Sequence, residues 1–485
     1  MPHTRRAFLG TIPLAAAAQQ QSSEPPIPIG NRRELFLDRT LLASLSGTAD
    51  LRLATPIDAG PALHFDKPWE GAFSAYTTIL HDAAKGLYRM YYRGSPGAGE
   101  DGNSGEATCY AESDDGKTWR KPAFDQYEVR NTKTNNVLLA NRPPYSHNFT
   151  PFLDLRPNVP ATERYKAMAG VHKTGLMAFV SPDGTHWKPL RDTPVFPPPK
   201  DFSLDSQNIA FWSQAEQKYV LYYRSWKRIN GTNYRWVSRA TSDDFLHWTP
   251  GEQMSYGDAP PEHLYTNQTS PYFRAPHIYI GICARFMPGR QVLTAAQAAE
   301  LNVDPKYFQD CSDAVLVTSR GGNQYTRTFM DAFLRPGLGL ENWVSRSNYP
   351  ALNLVQTSPS TMSFYVNRNY GQPTAYLRRY ELRLDGLASI HAGYAGGEAI
   401  TKPLQIAGNK LELNFATSAA GSVRIELQDV AGKPLPGYEL SNAPELIGDE
   451  IAREYRWKSA QPIDQPVRIR FVLKDADIFA FRASS

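Results

Sequence analysis

A seven-residue phrase recurs through the middle of the chain. Ser113-Asp-Asp-Gly-Lys-Thr-Trp119, Ser181-Pro-Asp-Gly-Thr-His-Trp187 and Ser242-Asp-Asp-Phe-Leu-His-Trp248 share the pattern S-x-D-x-x-x-W, and Ser319-Arg-Gly-Gly-Asn-Gln-Tyr325 is a degenerate fourth copy. Their closing aromatics are 68, 61 and 77 residues apart. Upstream of each copy lies a strand-like segment: Tyr88 to Arg93, Arg164 to Met168, Tyr219 to Arg224 and Tyr279 to Arg285. A third set opens each unit: Tyr76 to Leu80, Phe149 to Leu153, Asn208 to Trp212, and Pro271 to Arg274. Residues 343–385 fit a fifth unit, with strands at Leu352 to Thr357, Thr361 to Val366 and Ala375 to Leu384. One such sheet cannot bury both its faces alone, so the series predicts a five-bladed β-propeller. Within the phrase, Asp accepts backbone N–H bonds, Gly supplies positive φ and Trp packs between sheets, which makes these aspartates structural.

After residue 385 the pattern changes. Lys410 to Phe415, Ser422 to Leu427 and Val467 to Leu473 largely alternate apolar and polar residues, as strands with one buried face do. The expected fold is therefore all-β: a propeller over residues 30–385 followed by a β-sandwich over 386–485. The clear helical signal is short, Ala295 to Leu301, inserted in the fourth unit. The 26 Tyr, 22 Phe and 9 Trp suit blades whose rings fill the spaces between sheets.

The N-terminus carries Arg5-Arg6, a short apolar run and Ala15 to Ala18, the order of a twin-arginine export signal over residues 1–20. Nothing later reaches membrane-spanning length. The expected location is periplasmic or extracellular, with no membrane contact once the signal is removed. A formal charge of +4 over 485 residues excludes a strongly basic nucleic-acid footprint, and three cysteines exclude a disulfide scaffold. Cys283 and Cys311 lie in one unit and are read either as a disulfide pair or, with Cys109, as buried thiols.

The phrase at 242–248, with the order of export signal, five blades and sandwich, resembles the five-bladed glycoside hydrolases of families 32 and 43. Domain order is most like family 32. The resemblance implies hydrolysis of a poly- or oligosaccharide by carboxylates at an axial funnel. The family 32 opening Asn-Asp-Pro-Asn-Gly is replaced here by Asp66-Lys-Pro-Trp-Glu-Gly71, and its Arg-Asp-Pro and Glu-Cys motifs are missing.

Residues at or just before each innermost strand are expected near the axis. They are Asp66, Trp69 and Glu70 in the first unit, His147 and Asn148 in the second, and Asp205, Gln207 and Asn208 in the third. Glu262, His263 and Tyr265 follow in the fourth, and Arg346 in the fifth. Rings for apolar sugar faces beside forked polar groups are what sugar binding needs. Glycoside hydrolysis uses one carboxylic acid to protonate the leaving oxygen and one carboxylate to attack or activate water. Glu262 is the expected acid, between Pro260-Pro261 and apolar neighbours, and Asp205 or Glu70 the base or nucleophile. The other nine serve as substrate contacts.

Arg93, Arg224 and Arg285 recur at strand ends and are expected to form structural ion pairs. No metal-ligand spacing appears among the ten histidines, and no cofactor is expected. An inverting glycoside phosphorylase is the alternative enzyme, with Arg224, Lys227 and Arg346 as phosphate candidates. A non-catalytic carbohydrate-binding propeller is the third reading.

Overall fold

The computed structural model describes residues 25–458 and 462–484, so the expected export signal lies outside the described residues. Blade one is Ala75–Asp82, Leu87–Gly94, Ala107–Ser113 and Val137–Leu139, paired in that order. Blade two runs Thr150–Leu153, Tyr165–Val171, Gly175–Ser181 and Lys188–Pro189, and blade three Ile209–Ser213, Lys218–Ile229, Thr232–Ser242 and Glu252–Gln253. In blade four the inner strand is broken: Leu264–Thr266 and Thr269–Tyr272 both pair with Ala275–Met287, which then pairs with Cys311–Ser319. Its outer edge is reduced to single bridges, Thr318 to Thr326 and Ala314 to Leu334.

Blade five is closed by the other end of the ring. Tyr349–Pro350 and Val355–Gln356 line Thr361–Arg368, which pairs with Tyr376–Arg383, and the outermost strand is Ile57–His64. A sheet that takes its edge strand from the far end of the chain locks the ring, since opening it means breaking that ladder.

This closure moves the domain boundary. Chain entry at Ile57 sits beside chain exit after Arg383, so the preceding residues reach the C-terminal sheet directly. Glu34–Leu35, Leu42–Gly47 and Asp50–Leu53 pair with Arg468–Ser484, Gly397–Thr401 and Ala388–Ala392 respectively. The propeller's own strands therefore begin at Ile57, not near residue 30, and the sandwich draws strands from both ends. Its frame is two long strands, Lys410–Gln428 and Arg468–Ser484, paired along their length with a break in register between Thr417 and Ser422. Phe36 enters its core from the N-terminal segment and stacks on Phe481 at 5.5 Å.

The same segment carries the junction. Buried Glu34 accepts hydrogen bonds from Arg320 at 2.8 Å and faces His277 Nε2 at 3.0 Å. Burial pushes its carboxyl up, but these partners outweigh burial and hold it at about 2. Buried Asp385 accepts from Tyr272 at 2.7 Å and Arg274 at 3.0 Å.

The repeated phrase does what its residues predict. Asp115 Oδ1 accepts the N–H groups of Lys117 and Thr118, Asp183 Oδ1 those of Thr185 and His186, and Asp244 Oδ1 those of Leu246 and His247. The Ser hydroxyl at each turn's start donates to that Asp and accepts from the residue three further on. That residue has positive φ: Gly116 at 69°, Gly184 at 82° and Phe245 at 70°. Trp187 packs edge-on against Phe149, and Tyr91 of blade one donates to Gly184 O of blade two at 2.9 Å, so the turns also stitch blades together. Cys109, Cys283 and Cys311 are free and buried. Cys283 faces Val315, while Cys311 faces Met287 further along the same ladder, so the disulfide alternative falls.

Candidate functional site

An antiparallel hairpin sets the last residue of its second strand beside the first residue of its inner strand. Arg93 thus lies across from Ala75, and Arg285 across from Leu264. The arginine that ends the recurring Tyr-Tyr-Arg strand is therefore carried to the end of the propeller where inner strands begin.

At that end the five blades leave polar atoms over. Thr77 Oγ1, the Asn148 amide, Asn208 Oδ1, Thr266 Oγ1 and the Tyr349 hydroxyl are buried and have no hydrogen-bond partner among the described residues, one from each blade. Below them a polar chain crosses blades. Gln207 donates to Thr78 Oγ1 at 2.8 Å, and Gln268 donates to Gln207 Oε1 at 2.8 Å and to Pro350 O at 2.7 Å. Buried polar groups are ordinarily satisfied, so a ring of unsatisfied ones marks a place built for something else to complete.

Around this ring gather arginines and tyrosines. The guanidinium carbons of Arg224, Arg235 and Arg346 lie 5.1, 5.2 and 5.3 Å from the centre of the Tyr265 ring. Arg346 also lies 5.0 Å from Tyr307 and 5.7 Å from Tyr370, and Arg93 4.6 Å from Tyr76. Arg93 and Arg346 both donate to the Tyr370 hydroxyl, at 3.1 and 3.4 Å. Trp226 sits between Arg224 and Arg235, 4.9 and 5.0 Å from each. Arg93 and Arg224 are buried, whereas Arg235 and Arg346 are half-buried and reach solvent. Burial, with the Arg224 cation beside it, lowers the pKa of Arg235. Burial lifts the Tyr76 and Tyr349 hydroxyls well above the usual tyrosine range, so both remain neutral donors.

Of the three expected catalytic carboxylates, one belongs to this cluster. Asp205 forms an ion pair with Arg224, and Ser206 beside it donates to Tyr265 O at 3.0 Å. Glu70 does not reach the axis. It is fully buried inside blade one, where Tyr92 donates to it at 2.6 Å and Lys121 pairs with it at 2.6 Å. Residues 66–70 of the loop before Ala75 pack into blade one, with Trp69 donating to Asn136 at 2.7 Å in its interior and Asp66 on the surface against Lys121, before Phe73 joins the axial tyrosines.

Glu262 occupies a neighbouring cavity of about 820 Å³ lined by Tyr234, His263, Arg285, Asp313 and Trp343 among others. There Arg285 bridges Glu262 at 2.8 Å and Asp313 at 2.7 Å, while Arg327 holds the second Glu262 oxygen at 2.9 Å. His263 links cavity to cluster: its Nδ1 accepts the Arg235 N–H at 3.2 Å, and its ring packs on Tyr234. Asp205 and Glu262 are thus held by separate arginines.

His147 and Asn148 open blade two. The His147 Nδ1 lies 2.7 Å from the Glu106 carboxylate and 3.2 Å from the Gly102 N–H, so one tautomer donates to Glu106 and the other accepts from Gly102. Its Nε2 is buried without a partner. Glu106 also faces Arg93 at 3.7 Å; burial raises its pKa, but His147 and Arg93 outweigh that and lower it. Asp101, Glu106 and His147 bring ligand atoms within 4.8 Å of one another, the grouping among the described residues that could hold a metal.

The structure brings Asp205, Asn148, Gln207, Asn208, Tyr265 and Arg346 to the axial end, with His147 behind Arg93 and His263 at the cavity wall. Arg93, Arg235, Tyr76, Tyr307 and Tyr370 were not expected there. Arg93 and Arg224 do form the ion pairs that their strand-end position suggests, but they form them at the axis. The hairpin register was the signal that could have placed them.

No protein-family model matches this chain, and no curated protein matches it. Among solved structures it is similar to one described as a glycoside hydrolase, at 13% identity and a TM-score of 0.47, covering 68% of this chain and 92% of that one. It is similar to a fructofuranosidase from Schwanniomyces occidentalis complexed with fructosylnystose, at 10% identity and a TM-score of 0.37, covering 87% and 97%. A β-1,2-mannobiose phosphorylase from Listeria innocua matches at 10% identity and a TM-score of 0.43, covering 70% and 98%. Glycoside hydrolases and a phosphorylase thus stand among its structural neighbours.

Proposed function

We propose that the chain is an exported enzyme acting on glycosidic bonds of a poly- or oligosaccharide at the axial end of its propeller. The observation that carries this reading is the axial cluster. Half-buried Tyr307 and Trp226 offer ring faces, buried Tyr265 and Tyr370 back the arginines beside them, and each blade leaves a buried polar group without a protein partner. That pairing of apolar faces with unclaimed donors and acceptors matches a sugar's own alternation of C–H faces and hydroxyls. In this reading Asp205 is the carboxylate at the reacting bond, Arg224 orients it, and Asn148, Asn208 and Thr266 bind hydroxyls. Glu262 and Asp313 extend the contact surface along the neighbouring cavity.

Hydrolysis calls for two carboxylates, and the cluster holds one that is not already committed to a histidine. This favours a second reading, phosphorolysis, in which phosphate supplies the attacking oxygen and a single carboxylic acid protonates the leaving group. Atoms balance: the glycosidic C–O bond breaks, a C–O bond to phosphate forms, and the proton that hydrogen phosphate brings is relayed through Asp205 to the departing oxygen. Product release from a glycan panel, with and without phosphate, separates the readings. Reducing sugar without phosphate supports hydrolysis; sugar phosphate formed only with phosphate supports phosphorolysis. Glycan affinity with no product on long incubation would make the chain a binding module.

A further inference from the structure

We infer that the axial cluster binds an oxyanion, and that Arg93, Arg224, Arg235 and Arg346 are its receptor. The inference rests on the reading that the axial end is the substrate site, and it names the chemistry of what enters. Four guanidiniums meet three carboxylates there, Asp205, Glu106 and, at the exposed rim, Asp101, which leaves one positive charge unbalanced. Arg224 is 2% exposed, yet its Nε and Nη1 have no hydrogen-bond partner among the described residues; the Nε atoms of Arg93 and Arg235 are likewise unpartnered. Burying a guanidinium without partners is costly, and tyrosine faces return only part of that cost. An unpartnered Nε also occurs elsewhere among the described residues, as in Arg239 and Arg320, but those side chains donate through Nη atoms to Glu216 and Glu34, whereas Arg224 leaves Nη1 unpartnered as well. The axial arginines are held ready for an acceptor the protein does not supply. A planar fork suits a carboxylate or a phosphate equally. The oxyanion arrives either on the glycan, as the carboxylate of an acidic sugar, or as free phosphate.

The test is calorimetric titration of the full chain with D-galacturonate, inorganic phosphate and D-galactose, independent of turnover. One or both anions should bind saturably and at least about tenfold tighter than galactose. Raising salt from roughly 50 to 300 mM should weaken the anion and leave galactose unchanged. Arg235→Gln and Arg346→Gln, both half-buried and so the least disruptive to fold, should each cut anion affinity about tenfold or more. Arg346→Lys keeps charge without the fork and should recover only part of it. Phosphate alone binding points to a co-substrate; galacturonate binding points to an acidic glycan. The inference is overturned if neither anion outbinds galactose, or if both Gln variants, folded by circular dichroism, keep wild-type anion affinity. Anion binding without cleavage of any glycan would sink the proposed function and leave this inference standing. Cleavage of neutral glycans without anion affinity would do the reverse.

Discussion

The outer turns of the blades and the axial end of the propeller use the same residue types to opposite effect. At the turns, each aspartate oxygen is answered by backbone N–H groups within the same seven residues. At the axis, Asp205 meets a guanidinium from another strand, and around it donors and acceptors are left without protein partners. The turn carboxylates complete themselves; the axial groups wait for a ligand. Saturated polar groups stabilise a fold, whereas unsaturated ones lower stability and confer binding.

The comparison is broken most severely at Glu70, a buried carboxylate that sequence position alone places with the functional set. Glu70→Gln leaves Lys121 without its buried counter-charge and should cost about 3 kcal/mol in denaturant unfolding, with activity per folded molecule retained. Loss of activity at unchanged stability would return Glu70 to the active site. A change of pH strikes the saturated side next. Glu34 is lowered in the folded state, from 4.5 to about 2, so its stabilisation is complete above pH 4.5 and fades as pH falls toward 2. Linkage gives an upper figure of about 3 kcal/mol. Glu34→Gln should flatten the acid limb of the stability curve, and an unchanged limb would remove the junction from the account.

The turns give smaller effects. Asp183→Ala removes an acceptor of two backbone N–H groups and should cost about 1–2 kcal/mol, discounted because the side chain is partly exposed. Burial raises the Asp183 pKa, the N–H groups of His186 and Thr185 outweigh it, and the net is a lowered value. Its stabilisation is therefore also present above the ordinary aspartate range and lost in acid. The smallest effect has the opposite sign. Arg235→Met removes a charge that burial and Arg224 disfavour and should raise stability by about 1 kcal/mol while weakening ligand binding. A fall in stability would place Arg235 with the saturated groups.

The repeat made the blades legible because every copy must solve the same packing problem, so Ser, Asp and Trp return at fixed spacing. It also showed which aspartates to set aside. The axial set was only partly legible, since each blade brings a different residue there: Thr77, Asn148, Asn208, Thr266 and Tyr349 share no pattern. Tyr265 and Arg346 could be found by counting back from inner strands. Asp66, Trp69 and Glu70 satisfied the same count, but Lys121, Asn136 and Tyr92 hold them in blade one, and the loop reaches the axial tyrosines only at Phe73. Arg235 lies beyond the blade core, on the extended hairpin of blade three, where the strand count gives no warning. The sandwich's N-terminal strands were hidden because their pairing depends on ring closure, a contact across more than three hundred residues.

The most direct test sets one axial aspartate against one turn aspartate. Product release from a glycan panel, with and without phosphate, is measured for the wild type, Asp205→Asn and Asp183→Asn, each normalised to folded protein. Asp205→Asn should lose activity per folded molecule by about a thousandfold or more, beyond the stability of about 3 kcal/mol it loses by leaving buried Arg224 without its counter-charge, whereas Asp183→Asn should keep its activity per folded molecule. Full activity in Asp205→Asn, or its loss in Asp183→Asn at unchanged stability, would contradict the assignment of function to the axis.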